Sequence, residues 1–164
     1  LREESSAWLA DNCHAPIFAD PVSTVKAEKL RPVLGKLHTL KPNRLEAELL
    51  SGVPITGTDS LHRAAQTLLE TGLHRVFISL GADGVFAADH SGQKRKLPAL
   101  KGNIVSTTGC GDSFMAALTW AYLQGSDLER SARAGLAASS LTMESAETIH
   151  PSMSEAELLR RMAL

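Results

Sequence analysis

Short apolar runs alternate along this chain with amphipathic segments of ten or more residues. Residues 16–19, 37–40 and 76–80 read as buried strands. Between them the apolar spacing predicts helices over 23–34, 44–50 and from residue 58 to just before Gly72. In the last of these, Leu61, Ala64, Ala65, Leu68 and Leu69 share one face. A strand followed by a helix that long needs a crossover to reach the next strand, and crossovers make parallel pairs. The pattern predicts an α/β domain whose mostly parallel sheet is covered by helices on both faces. Gly81-Ala82-Asp83 is too short for a crossover, so residues 76–80 and 84–88 are expected to pair as a hairpin. Residues 94–97 read as a short polar edge strand. Helices are predicted over 1–12, 112–124, 128–143 and from Ser154, where Ser154 and Glu157 have capping-box spacing.

In open sheets of this kind ligands bind beyond the carboxyl ends of the strands. Asp20, Asn43, Ser79 with Gly81, and the loop at 106–112 all fall at such ends, so they are expected on one rim. The loop Ser106-Thr107-Thr108-Gly109-Cys110-Gly111-Asp112 carries the strongest signal. Its glycines stand where a helix begins, and the first N–H groups of a helix have no partner inside it. The macrodipole makes that end positive, so the loop suits a phosphate or an oxyanion. Asp112 then has two readings. It is an N-terminal helix cap, or a base that reaches a hydroxyl beside a phosphoryl group.

The other features also have two readings each. Asn43 and Glu46 share a face on the first turn of a helix. They form a capping box, or they organise water around a magnesium ion. Ser79, Gly81 and Gly84 build a tight turn, or a floor on which a nucleotide approaches the backbone. Asp20-Pro21 reads as a turn and Lys41 as a solvated lysine before proline. Cys110 lies where a thiolate is favoured, but no histidine stands near it in sequence to make it a nucleophile.

Composition narrows the function classes. With 17 basic and 18 acidic residues among 164, the formal charge is −1, which offers no electrostatic case for a nucleic-acid or membrane partner. No apolar run nears the roughly 20 residues that span a bilayer, and Leu1-Arg2-Glu3-Glu4 is not a signal peptide. Cys13 and Cys110 form no framework, so a reducing cytoplasm is expected. The six histidines are scattered without zinc-ligand spacing.

The run from Val105 to Phe114 resembles the second signature of the PfkB, or ribokinase-like, carbohydrate kinases, D-T-T-G-A-G-D-x-F. Pro42-Asn43-Arg44-Leu45-Glu46-Ala47 resembles the same family's N-x-x-E motif, and residues 79–85 look like its strand-loop-strand nucleotide segment. Asp20-Pro21-Val22-Ser23 and the stretch from Thr39 to Glu48 look most like the pseudouridine kinase branch. The resemblance implies a three-layer, Rossmann-like fold and ATP-dependent transfer to the 5′-hydroxyl of pseudouridine. It makes Asp112 the base and Gly109, Cys110 and Gly111 the anion hole. Asn43 and Glu46 would organise magnesium and phosphates, and Ser79, Gly81, Gly84 and Gly111 would line the ATP site.

The resemblance covers only the family's C-terminal, nucleotide-binding half, over residues 1–164. Nothing in the chain matches the Gly-Gly sugar-binding motif or the lid sheet of the N-terminal half. Weak or no turnover is therefore expected of the chain alone, and a homodimer only of a full-length parent. Ser106 stands where the family carries a cation-binding Asp, which weighs against potassium activation. The alternatives are a kinase for ribose, fructose or another nucleoside, and a non-catalytic nucleotide-binding fragment.

Overall fold

A computed structural model of the protein describes residues 2–163. The elements in order are α1 (Glu3–Asn12), β1 (Phe18–Ala19), α2 (Thr24–Ala27), β2 (Thr39–Leu40), α3 (Arg44–Ser51), α4 (Thr58–Glu70), β3 (Arg75–Ser79), β4 (Val85–Asp89), β5 (Lys94–Leu97), α5 (Cys110–Leu123), α6 (Leu128–Met143) and α7 (Glu155–Met162). The predicted start of the first helix at Leu1 lies outside the described residues. The segment predicted as one helix over 23–34 is a single α-turn followed by a 3-10 helix, Glu28–Lys36. Ser23 caps it as expected, accepting from the Lys26 N–H at 3.3 Å. Pro32 stands within the 3-10 segment, and proline cannot supply the N–H that a regular α-helix needs there.

The five strands lie in the order β1-β2-β3-β4-β5. Phe18 pairs with Thr39 and Thr39 with Arg75, all in parallel register. The last strands run differently. The His90 N–H donates to the His74 carbonyl at 2.9 Å, joining the end of β4 to the start of β3, so β4 runs antiparallel to β3. Asp89 N–H to Gln93 carbonyl, 3.1 Å, closes the turn into β5. The sheet is thus mixed rather than mostly parallel. Crossovers produce its first half, and connections of five and four residues produce its second.

The chain forms two compact units, residues Leu1–Leu80 with Phe86–Arg95, and Gly81–Val85 with Lys96–Leu164. The first has its core in Leu40, Leu68, Val76, Ile78 and Phe86, with Leu61, Ala64 and Ala65 of α4 turned into it as their spacing predicts. Leu69, placed on that same face, is only partly buried. The second unit packs small residues: Ala117 and Ala121 of α5, Ala134, Ala137 and Ala138 of α6, and Leu158 of α7. Among the described residues no helix is long and apolar enough to cross a membrane.

Candidate active site

Three polar strand ends meet in the first unit. Because β1, β2 and β3 are parallel neighbours, Asp20, Asn43 and Ser79 leave the sheet along the same edge. Asn43 and Ser79 are bridged directly, and the Ser79 N–H donates to the Pro42 carbonyl at 2.9 Å. Asn43 and Glu46 make the capping box in full. Asn43 Oδ1 accepts from the Glu46 N–H at 2.9 Å, and Glu46 Oε2 accepts from the Asn43 N–H at 2.8 Å. Such a box fixes both side chains at the head of α3.

Glu46 is only 2% exposed. Burial pushes its carboxyl above the usual value, the Asn43 N–H opposes that, and Asp20 and Lys41 act on it with opposite signs. Its other oxygen, Oε1, makes no hydrogen bond among the described residues. Magnesium keeps most of its waters and takes few protein ligands. One buried carboxylate with an oxygen left open fits that demand better than it fits a protein cage. Among the described residues no three His, Cys, Asp or Glu side chains cluster to hold a metal by themselves.

Lys41 is not the solvated lysine that its place before proline suggests. It is 6% exposed, and its Nζ pairs with Asp20 Oδ2 at 2.8 Å. The turn expected at Asp20-Pro21 is present, with Asp20 Oδ1 accepting from the Val22 N–H at 2.9 Å. Val22 there adopts φ 66°, a left-handed backbone that a β-branched residue rarely takes. Nothing in the sequence pattern marked this pair.

In the second unit the glycine-containing loop 106–109 opens α5. The helix begins at Cys110 rather than at Asp112. Its N-cap is Gly109, at φ 84°, where an added Cβ would stand 2.7 Å from the Thr148 carbonyl. Glycine is required there by conformation and by space. Asp112 is the third residue of α5 and is exposed, so it is not the N-cap. The N–H groups of Cys110, Gly111 and Asp112 fall in the unpaired first turn; that of Cys110 reaches only the Thr107 carbonyl, at 3.4 Å. Cys110 itself is held against α6. Its carbonyl accepts from Ser139 Oγ at 2.8 Å, and burial raises its thiol, so the helix end does not yield a thiolate. Ser106 Oγ accepts from the Thr108 N–H at 3.2 Å within the loop. Gly81 and Gly84, expected beneath a nucleotide, have φ 61° and 90°, and Gly84 lies against the backbone of Leu97, Pro98 and Ala99. Ser139, Thr142 and Thr148, which position this loop, carry no motif that would reveal them in the sequence.

The pfkB family carbohydrate kinase model matches residues 4–156. The chain belongs to the pfkB family of carbohydrate kinases. Within that family it is 38% identical over 160 residues to pseudouridine kinase of Escherichia coli, covering 97% of this chain and 51% of that protein. It is 30% identical over 116 residues to deoxyribokinase of Salmonella typhi, covering 70% of this chain and 38% of the other. Among solved structures, a candidate sugar kinase from Clostridium perfringens superposes with TM-score 0.94 at 36% identity, over 99% of this chain and 52% of that one. Ribokinase from Thermotoga maritima, 24% identical, gives 0.84 over 100% and 54%. The fold is therefore the three-layer α/β ribokinase-like fold, with an open mixed sheet, and the chain spans about half the length of these pfkB relatives.

Proposed function

We propose that this chain is the ATP-binding and catalytic part of a kinase that phosphorylates the 5′-hydroxyl of pseudouridine. The observation that carries the kinase reading is the opening of α5, where Gly109 in left-handed backbone is the N-cap and an exposed Asp112 is the third residue of the first helical turn. A positive helix end and a carboxylate within its first turn answer the two needs of phosphoryl transfer to an alcohol. The first-turn N–H groups of Cys110, Gly111 and Asp112 take charge on the moving phosphoryl group. Asp112 takes the hydroxyl proton as the oxygen attacks. Magnesium bound with ATP would neutralise phosphate charge, and the buried Glu46 carboxylate, fixed by Asn43, is the group that would hold it through water. Ser79, Gly81 and Gly84 are assigned to the nucleotide.

The likeness to Escherichia coli pseudouridine kinase supports the substrate. A second sugar is supported by the likeness to Salmonella typhi deoxyribokinase. Turnover of pseudouridine, deoxyribose, ribose, fructose and adenosine with ATP and magnesium separates them. It is measured on the 164-residue chain and on any longer chain that contains it. Pseudouridine is expected to give the highest kcat/KM; a preference for any other acceptor overturns the substrate. Asp112→Asn is expected to lower kcat on the order of 10²–10⁴-fold while ATP affinity by calorimetry stays within about twofold. Activity that survives this change removes Asp112 as the base.

A further inference from the structure

Asp20 and Lys41 have been given no role above, yet they form an ion pair, Lys41 buried and Asp20 partly so, at the parallel strand ends that lead into Asn43 and Glu46. Both act on Glu46 electrostatically, with opposite signs. The pair is also tied into the backbone that carries Glu46. Asp20 Oδ1 holds the Val22 N–H, and the Lys41 N–H donates to the Ala19 carbonyl at 3.0 Å. The next residue, Pro42, gives its carbonyl to Ser79, and the one after it, Asn43, forms the capping box. Lys41 is not a free cation waiting for phosphate: its ammonium is already bonded, and parting a buried pair leaves an uncompensated charge.

We propose that Asp20 and Lys41 are positioning residues that set the charge Glu46 offers to a divalent cation, Lys41 limiting it and Asp20 keeping Lys41 from cancelling it. The proposal rests on Glu46 as the magnesium-facing carboxylate. The signs follow from charge alone. Without Asp20, the Lys41 ammonium loses its partner, and its field on Glu46 is no longer offset. It then competes with the cation. Without Lys41, two carboxylates face the site together, and a cation is drawn in more strongly. Neutralising both returns Glu46 to acting alone. A pair that served only to hold the fold would give no such opposition, since losing either partner would then weaken the protein in the same way.

The test is the magnesium concentration that half-saturates ATP binding, read by calorimetry at pH 7.5, with the urea midpoint in EDTA as the measure of stability. Asp20→Asn is expected to raise the magnesium requirement about tenfold and Lys41→Met to lower it severalfold, as one nearby charge changes an ionic equilibrium by about that much. The double variant is expected near the unmodified value, although all three unfold at lower urea. Shifts of the same sign, or lower stability with no shift in the magnesium requirement, overturn the proposal. Glu46→Gln separates this from the parent reading. If that variant keeps the ordinary magnesium requirement, or the unmodified chain has none, the magnesium role of Glu46 fails and this proposal with it. If Glu46→Gln abolishes the requirement while the pair does not oppose, only the pair's role fails.

Discussion

Gly84 shows what one missing Cβ is worth in this chain. Its φ is 90°, and an added Cβ would stand 2.0 Å from the Leu97 carbonyl oxygen. Gly92 has nearly the same backbone, φ 89°, with nothing within 4 Å of where its Cβ would be. Alanine at Gly92 meets only the conformational penalty, about 1 kcal/mol. Alanine at Gly84 adds a clash with backbone that cannot swing aside, and is expected to cost about 3 kcal/mol or more. Urea unfolding of the two variants side by side checks the difference; equal losses would mean that 97–99 can retreat. Single residues were legible in the sequence where a local rule governs them. Asn43 and Ser23 are caps because their oxygens need only a neighbour three residues on. Lys41 was not legible, because its partner belongs to another strand and meets it only through the pairing of Ala19 with Leu40.

At the scale of elements, one guanidinium adds a polar tie between α7 and the end of α6 to the packing of Leu158. Arg161 donates to Glu144 Oε1 at 2.9 Å and Oε2 at 2.7 Å, and to Ser140 Oγ at 2.9 Å. Glu157, 3.9 Å away, adds a second carboxylate. These hydrogen bonds, with lesser help from the surrounding charges, hold the Glu144 carboxyl below its usual 4.5. A carboxyl depressed by folding gives stability above its unfolded value and loses it as pH falls through the lower folded one. Arg161→Met should therefore cost on the order of 2 kcal/mol at pH 7 and flatten the loss of stability below pH 4.5. Urea midpoints at pH 7, 4.5 and 3 measure both, and an unchanged acid limb would show that the pair contributes nothing. Element boundaries were readable where caps and periodicity agree, as in α4 and α6. They failed at 23–34, where the helical spacing was right but Pro32 interrupts the ladder. At α5 the start was read at the carboxylate, whereas a left-handed glycine let the helix begin two residues sooner. Ser154 caps α7 through the Glu157 N–H, but Glu157 turns its carboxylate to Arg160.

For the molecule as a whole, acid should act on the two units in sequence. In the first, Phe18, His38, His74 and His90 stand in a row, with ring centroids 5.2, 5.5 and 4.8 Å apart. Burial, then Arg75, His74 and His90, lower His38 from 6.5 to about 4. A base whose folded value is depressed stays neutral in the fold while the unfolded chain takes up a proton. Stability of this unit is thus lost as pH falls from 6.5 toward 4, whereas the Glu144 contact in the second unit yields only below 4.5. Amide exchange at pH 7, 5.5 and 4 is expected to show protection falling first in β1, β2 and β3. His38→Phe, which keeps a ring in the row, should remove that early loss; protection falling first in α6 and α7 would contradict the order. The histidines looked scattered in the chain because their grouping depends on strand register, which sequence spacing does not display.

The division into units also bears on how such a chain can be cut and recombined. It passes from one unit to the other three times, after Leu80, Val85 and Arg95. No single breakpoint parts the two. A recombination event at residue 80 would carry off the segment Phe86–Arg95, and with it nearly all of the strand that borders β3. Exchanging the first unit among relatives would thus require moving that short hairpin along with the first eighty residues, as an inserted cassette rather than a simple splice.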